Sequence, residues 1–140
     1  MVIRRPTILY VDDDRGRGGV RETALSARGV TVLNSPDNGS AVAAFARAND
    51  PPDVAILDLA VPGMSAFDAY LAMRETNAAL PVLFVSGGVE DCLGVIARLS
   101  NLPSDSHWRF LAKPFTQEQL ARCIGDLLGD GRDAALGAKA

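Results

Sequence analysis

The chain has 140 residues, with 48% hydrophobic and 22% charged residues, and this composition is typical of a folded domain and not of a disordered segment. Its net charge of −3 and the scattered distribution of its 14 Lys and Arg residues predict no basic face, so we expect no direct binding of nucleic acid. No apolar run approaches the roughly 20 residues that a membrane helix needs, and the N-terminus carries no secretory signal pattern. We therefore expect a single cytoplasmic domain.

The first third of the chain alternates β-rich runs with apolar residues at helical spacing. Residues 7–11 predict a strand, and residues 20–28 predict a helix with a weak, glycine-rich start, because each interior glycine costs about 1 kcal/mol. Residues 30–33 predict the second strand, residues 34–39 a turn, and residues 40–48 the second helix. That helix ends where two prolines follow, since proline cannot continue a helix.

The rest of the chain repeats this alternation. Further strands are predicted over residues 54–57, 81–85 and 109–112. Further helices are predicted over residues 65–76, 90–100 and 116–128. Ser65 is the expected N-cap of the first of these helices, and Thr116 with Gln119 forms a capping box at the start of the last.

Five strands that alternate with five helices predict an α/β fold. We expect a flavodoxin-like (βα)5 domain, in which a doubly wound, five-stranded parallel sheet has the strand order 2-1-3-4-5. Residues 1–128 should form this domain, and residues 129–140, which are small and polar, should form a flexible tail.

Charged side chains directly follow three of the predicted strands. Asp12 and Asp13 follow the first strand, Asp58 follows the third, and Lys113 follows the fifth. The carboxyl ends of parallel strands meet at one edge of a sheet, and carboxylates gathered there repel one another unless a positive charge lies between them. A divalent cation and a lysine would supply that charge. This pattern is typical of a site that transfers or accepts a phosphoryl group.

Together these motifs resemble the receiver domain of bacterial two-component response regulators, over roughly residues 6–128. The family signature is an acidic pair after strand 1, an aspartate after strand 3 with proline four residues later, a Ser or Thr after strand 4, and Lys-Pro after strand 5. The chain supplies these as Asp12 and Asp13, Asp58 and Pro62, Ser86, and Lys113 and Pro114. The resemblance also implies a cis Lys113–Pro114 peptide bond that aims the lysine amine inward.

The resemblance implies a phosphoryl acceptor and a metal site. Asp58 would be the nucleophile that takes a phosphoryl group from a histidine of a partner kinase. Mg²⁺ suits such a site because it prefers octahedral oxygen ligands and keeps bound waters. Asp13, Asp58 and the Ala60 carbonyl would be its direct ligands, and Asp12 would bind it through water.

The phosphoryl group itself would contact further residues. Lys113 would pair first with Asp58 and then with a phosphoryl oxygen. Ser86 would donate its hydroxyl, and the backbone N–H groups of Ala60 and Gly87 would add hydrogen bonds.

The resemblance implies a conformational switch through Phe110. Its ring would turn inward when Ser86 moves toward the phosphoryl group. We expect the signal to leave through the face formed by helix 90–100, strand 109–112 and helix 116–128. Alternatively, Phe110 is a plain core residue.

The implied partners are a sensor histidine kinase or a phosphotransfer protein as donor, and an output protein or effector domain as recipient of the signal. A second copy of the chain could bind through the same face to form a homodimer. The stretch 110–115 resembles receivers at the ends of hybrid histidine kinases. We expect no conventional enzyme, only self-phosphorylation and autodephosphorylation at Asp58.

Two alternatives remain open at this point. One is a pseudo-receiver scaffold that keeps the fold without phosphorylation. The other is a phosphohydrolase with an aspartyl nucleophile, but enzymes resembling the haloacid dehalogenases have a second aspartate two residues after the first, where this chain has Ala60.

Ala60 and Gly88 are both small, so we expect water to reach the acyl phosphate and its lifetime not to be unusually long. We interpret Cys92 and Cys123 as buried apolar residues and not as a disulfide or metal pair.

Overall fold

A computed structural model describes residues 5–11, 29–47, 51–60, 63–101 and 107–129, without the side chains of residues 89–92. The helix predicted over residues 20–28 and all but the first residue of the predicted tail lie outside the described residues. So do Asp12, Asp13 and Pro62. Within the described part of the chain, no helix is both long and apolar enough to span a bilayer.

The described strands form one parallel sheet. They are β1 Thr7–Val11, β2 Thr31–Ser35, β3 Val54–Asp58, β4 Val82–Ser86 and β5 Trp108–Ala112. The described helices are α1 Asn38–Arg47, α2 Ala66–Thr76, α3 Val89–Leu99 and α4 Gln117–Leu128. The strand order is β2-β1-β3-β4-β5, and every neighbouring pair is parallel, which confirms the predicted flavodoxin-like sheet.

The core occupies both faces of this sheet. Successive residues of β3 alternate between the two: Ala55 and Leu57 belong to a cluster with α1, α2 and α3, whereas Val54 and Ile56 belong to a cluster with α4. Every residue of β3 and of β4 is buried. This burial explains why both strands are apolar up to their last residue, which is Asp58 in β3 and Ser86 in β4.

The predicted turn over residues 34–39 is too long. Strand β2 continues to Ser35, which lies opposite Val11 of β1, and α1 already begins at Asn38. The carboxylate of Asp37 ends the turn early, because it caps the helix by accepting the Ser40 N–H at 2.7 Å and the Ser40 hydroxyl at 3.1 Å.

Smaller corrections matter for the site. Strands β3 and β4 each run one residue further than predicted, so Asp58 and Ser86 are strand residues whose backbones are fixed by the sheet.

Both predicted caps are confirmed: the Ser65 hydroxyl accepts the Asp68 N–H, and Thr116 and Gln119 form a capping box. Cys123 is only partly buried, against our expectation, because it lies at the margin of the α4 cluster.

Candidate functional site

Asp58 lies at the carboxyl end of the central strand β3 and is only 3% exposed. Its Oδ2 accepts a hydrogen bond from Lys113 Nζ at 2.7 Å, and its Oδ1 accepts the Ala60 N–H at 2.8 Å. The lysine follows β5, so this ion pair reaches across β4 between residues 55 positions apart in the sequence. Burying a carboxylate is costly unless it is paired and hydrogen-bonded, and here both oxygens have a partner.

The backbone of Lys113 is fixed to the neighbouring strand. Its N–H donates to the Ser86 carbonyl at 2.8 Å, and the Lys113–Pro114 peptide bond is cis, as the resemblance implied. The side chain of Lys113 is 33% exposed, so its ammonium group lies between the buried carboxylate and solvent.

Ser86 is buried at the end of β4, and its hydroxyl bonds to the loop that follows. Its Oγ donates to the Gly88 carbonyl at 2.6 Å and accepts the Gly88 N–H at 3.1 Å. Gly87 and Gly88 are exposed. The hydroxyl would have to leave the Gly88 carbonyl before it could donate to a group bound on Asp58.

Phe110 is half-buried on β5 within a row of aromatic rings. It stacks on Phe84 of β4 at a centroid distance of 5.2 Å, and it meets Trp108 at 5.5 Å in an edge-on contact. Phe84 in turn contacts Tyr70 of α2 at 5.7 Å. The Phe110 ring is therefore partly buried and packs against the core cluster.

The predicted acidic pair follows strand β1 in the sequence. Tyr10 of β1 lies opposite Ile56 of β3, so β1 ends beside the end of β3 that carries Asp58. The residues that follow β1 in the sequence, Asp12 and Asp13, lie outside the described residues. Among the side chains that are described, no three His, Cys, Asp or Glu residues form a metal-binding group.

One buried polar residue near the site was missed by the sequence analysis. Asn38, the first residue of α1, is fully buried, and its Nδ2 donates to the Met64 carbonyl at 3.0 Å. An asparagine within a polar, turn-like stretch gives no signal of burial, because such stretches usually lie at the surface.

Comparison with known proteins assigns the chain to a family. It matches the response regulator receiver domain over residues 8–124 and belongs to that family of two-component signalling domains. Sensor kinase CckA of Brucella abortus is 32% identical over 124 residues, which are 87% of this chain and 12% of the kinase. The probable transcriptional regulatory protein TcrX of Mycobacterium tuberculosis is also 32% identical over 124 residues, 87% of this chain and 49% of that protein.

A solved receiver domain shows the same fold. The receiver domain of hybrid histidine kinase CckA matches with a TM-score of 0.68 and 27% identity, covering 88% of this chain and 99% of that one. The chain spans about half the length of the regulator TcrX and a much smaller share of the sensor kinase.

Proposed function

We propose that the chain is a cytoplasmic, phosphorylation-dependent switch and that Asp58 is its phosphoryl acceptor. The observation that carries this proposal is the contact between Asp58 and Lys113, a buried carboxylate and an ammonium group 2.7 Å apart at the carboxyl edge of the sheet. The donor is a phosphohistidine on a sensor kinase or a phosphotransfer protein. A carboxylate oxygen of Asp58 forms the new O–P bond, the P–N bond breaks, and the histidine leaves and recovers a proton.

The transferring phosphoryl group carries its charge on three equatorial oxygens, so the protein acts mainly by positioning and neutralisation. Lys113 already lies beside the acceptor and would turn to one of these oxygens. The Ala60 and Gly87 N–H groups would donate to others, and so would Ser86 once it releases the Gly88 carbonyl.

The donor set fits Mg²⁺. A carboxylate offers about four lone pairs, and each oxygen of Asp58 receives one hydrogen bond from the described residues, which leaves lone pairs for a cation. We propose Asp13, Asp58 and the Ala60 carbonyl as direct ligands, with Asp12 bound through water. When bound, the ion would neutralise charge that develops on the phosphoryl oxygens.

The proposed output face consists of α3, β5 and α4. Leu93 and Ile96 of α3 are 59% and 36% exposed, although both are large and apolar. Gly94 and Arg98 line a groove toward α2, so helical geometry places Ile96 on the opposite flank of α3, toward β5. An output protein, an effector domain or a second copy of the chain would bind there when the Ser86 loop and Phe110 shift.

The chain would form the receiver unit of a two-component signalling protein. The receiver unit would end with α4 at Leu128, and residues 129–140 would be a flexible tail. The relatives include both a sensor kinase and a transcriptional regulator, and the match to the CckA receiver agrees with the hybrid-kinase resemblance of residues 110–115.

Incubation with acetyl phosphate and Mg²⁺, followed by intact-mass measurement, tests the proposal. We expect one phosphoryl adduct, which Asp58→Asn abolishes and Asp68→Asn, at an exposed carboxylate on α2, retains. The absence of an adduct on the unmodified chain would favour the pseudo-receiver scaffold. Multiple turnover of a small phosphoester would favour a phosphohydrolase.

A further inference from the structure

The described ends of the connection between β3 and α2, residues 59–60 and 63–65, are each held by hydrogen bonds. At its start, the Leu59 N–H donates to the Val85 carbonyl at 2.9 Å, and the Ala60 N–H donates to Asp58 Oδ1 at 2.8 Å. At its end, the Ser65 hydroxyl caps α2. Between these points, the Met64 carbonyl accepts from the Asn38 carboxamide of α1.

This contact joins two segments that are 26 residues apart in the sequence, and it is partly buried. Asn38 is 0% exposed, and its Oδ1 has no hydrogen-bond partner among the described residues. Burying an amide with an unpaired oxygen is unfavourable, and an apolar residue of the same size would avoid that penalty. Space filling alone therefore does not explain this asparagine, whereas a leucine could not make its hydrogen bond to the Met64 carbonyl.

We infer that Asn38 is a positioning residue of the acceptor site: by binding the Met64 carbonyl it holds the β3–α2 loop, and with it the Ala60 N–H, at the Asp58 carboxylate. This inference rests on the proposed function of Asp58. Asn38 thereby links α1 to the reacting carboxylate without touching it.

Amide hydrogen exchange of the unphosphorylated protein tests the positioning directly. Asn38→Leu keeps the branched shape of the side chain and removes the donor, and Asn38→Ala serves as a second, smaller variant if the leucine variant does not fold. We expect exchange of the Ala60 amide to accelerate by about tenfold in both variants, while the Leu59 amide, held by the Val85 carbonyl, exchanges as before. The control is Ile124→Val, a core truncation on the opposite face of the sheet.

A second measurement separates this role from simple stabilisation. The rate constant for phosphorylation by acetyl phosphate at saturating Mg²⁺ should fall by about tenfold in the Asn38 variants and stay unchanged in Ile124→Val, because a misplaced donor slows chemistry and a weakened core does not. Unchanged Ala60 exchange in the Asn38 variants would overturn the inference, and so would equal acceleration in Ile124→Val. If the unmodified chain accepts no phosphoryl group, the proposed function fails, but the exchange measurement still decides the role of Asn38.

Discussion

Phe110 stacks on Phe84 with their ring centroids 5.2 Å apart and their planes inclined by 26°. Phe84 and Ser86 are two residues apart on β4, so their side chains project from the same face of that strand. The ring stack and the hydroxyl are thus coupled through one short, fully buried strand. A shift of Ser86 toward a phosphoryl group would change the space available to Phe110.

Trp108 should report this shift. It is the only tryptophan of the chain, and it makes an edge-on contact with Phe110 at 5.5 Å. We expect its emission to move to longer wavelength when acetyl phosphate and Mg²⁺ are added, because inward movement of Phe110 removes an apolar neighbour and admits water. Fluorescence spectra of the unmodified chain test this expectation.

Two variants serve as controls for the Trp108 signal. Asp58→Asn should remove the shift because no phosphoryl group is accepted. Ser86→Ala should accept the group but lose most of the shift, since it lacks the hydroxyl that moves. An equal shift in both variants would mean that Trp108 responds to Mg²⁺ or solution conditions alone.

The lifetime of the acyl phosphate should depend on Gly88. This residue is exposed, has an extended φ of −158°, and would meet nothing within 4 Å if it carried a Cβ. We expect Gly88→Leu to slow hydrolysis by about three- to tenfold, because the side chain would shield the acyl phosphate from attacking water. Decay of the adduct followed by mass spectrometry measures this rate.

Gly94→Ala is the matched control for that substitution. Gly94 lies within α3, the helix that Gly88 precedes, and it is also unobstructed, but it lines the groove toward α2. Its substitution should leave the decay rate unchanged. A half-life of many hours in the unmodified chain with Mg²⁺ would contradict the open route for water.

Cys123 should titrate above the usual range for a thiol. Burial raises the pKa of the Cys123 thiol, and the nearby Arg109 guanidinium partly offsets this effect. Since the thiolate is the reactive form, the midpoint of the alkylation rate against pH should be higher in the folded than in the unfolded chain. In the Cys92→Ser variant, Cys123 is the thiol that reacts. If burial slows alkylation equally at every pH, it lowers the rate but does not move this midpoint.

The same shift has a consequence for stability. A thiol whose pKa is higher in the folded state contributes stability below its unfolded pKa and loses it as pH rises through the folded pKa. Arg109→Gln should move the alkylation midpoint higher still, because it removes a charge that favours the thiolate. A midpoint that falls in this variant would show that another group controls Cys123.

Much of the fold was predictable because strand and helix periods are strong signals. The apolar run of β3 and the capping box at Thr116 each predicted an element that the structure confirms. The turn after β2 was not predicted well, because Asp37 can belong to a turn or cap a helix and only tertiary pairing decides which. The burial of Asn38 was also hidden, since its partner is a backbone carbonyl 26 residues away.

The candidate site was predictable in part for a related reason. Charge directly after an apolar strand marks the edge of a parallel sheet, so Asp58 and Lys113 could be brought together from spacing alone. The hydrogen bonds between the Ser86 hydroxyl and the Gly88 backbone could not be predicted, because a serine side chain can rotate between local and distant partners.

The pair of Lys113 and Asp58 should be energetically coupled. Without Mg²⁺, Lys113→Met should lower the free energy of unfolding by about 1–3 kcal/mol, since it leaves a buried carboxylate without its cation, while partial exposure of the lysine keeps the loss below that of a fully buried pair. Adding Asp58→Asn should recover part of this loss, because the uncompensated charge is gone. Urea denaturation of the two single variants and the double variant measures the coupling.

The exposed pair of Arg109 and Asp126 provides the control for that cycle. Arg109 Nη2 and Asp126 Oδ2 are 3.9 Å apart, and the two side chains are 53% and 38% exposed, so solvent screens their attraction. Arg109→Met should therefore change the free energy of unfolding by less than about 0.5 kcal/mol, with little coupling to Asp126→Asn. If the two cycles gave equal coupling energies, burial of Asp58 would not strengthen its ion pair. Lys113 would then stabilise the folded chain no more than an exposed partner of an ion pair does.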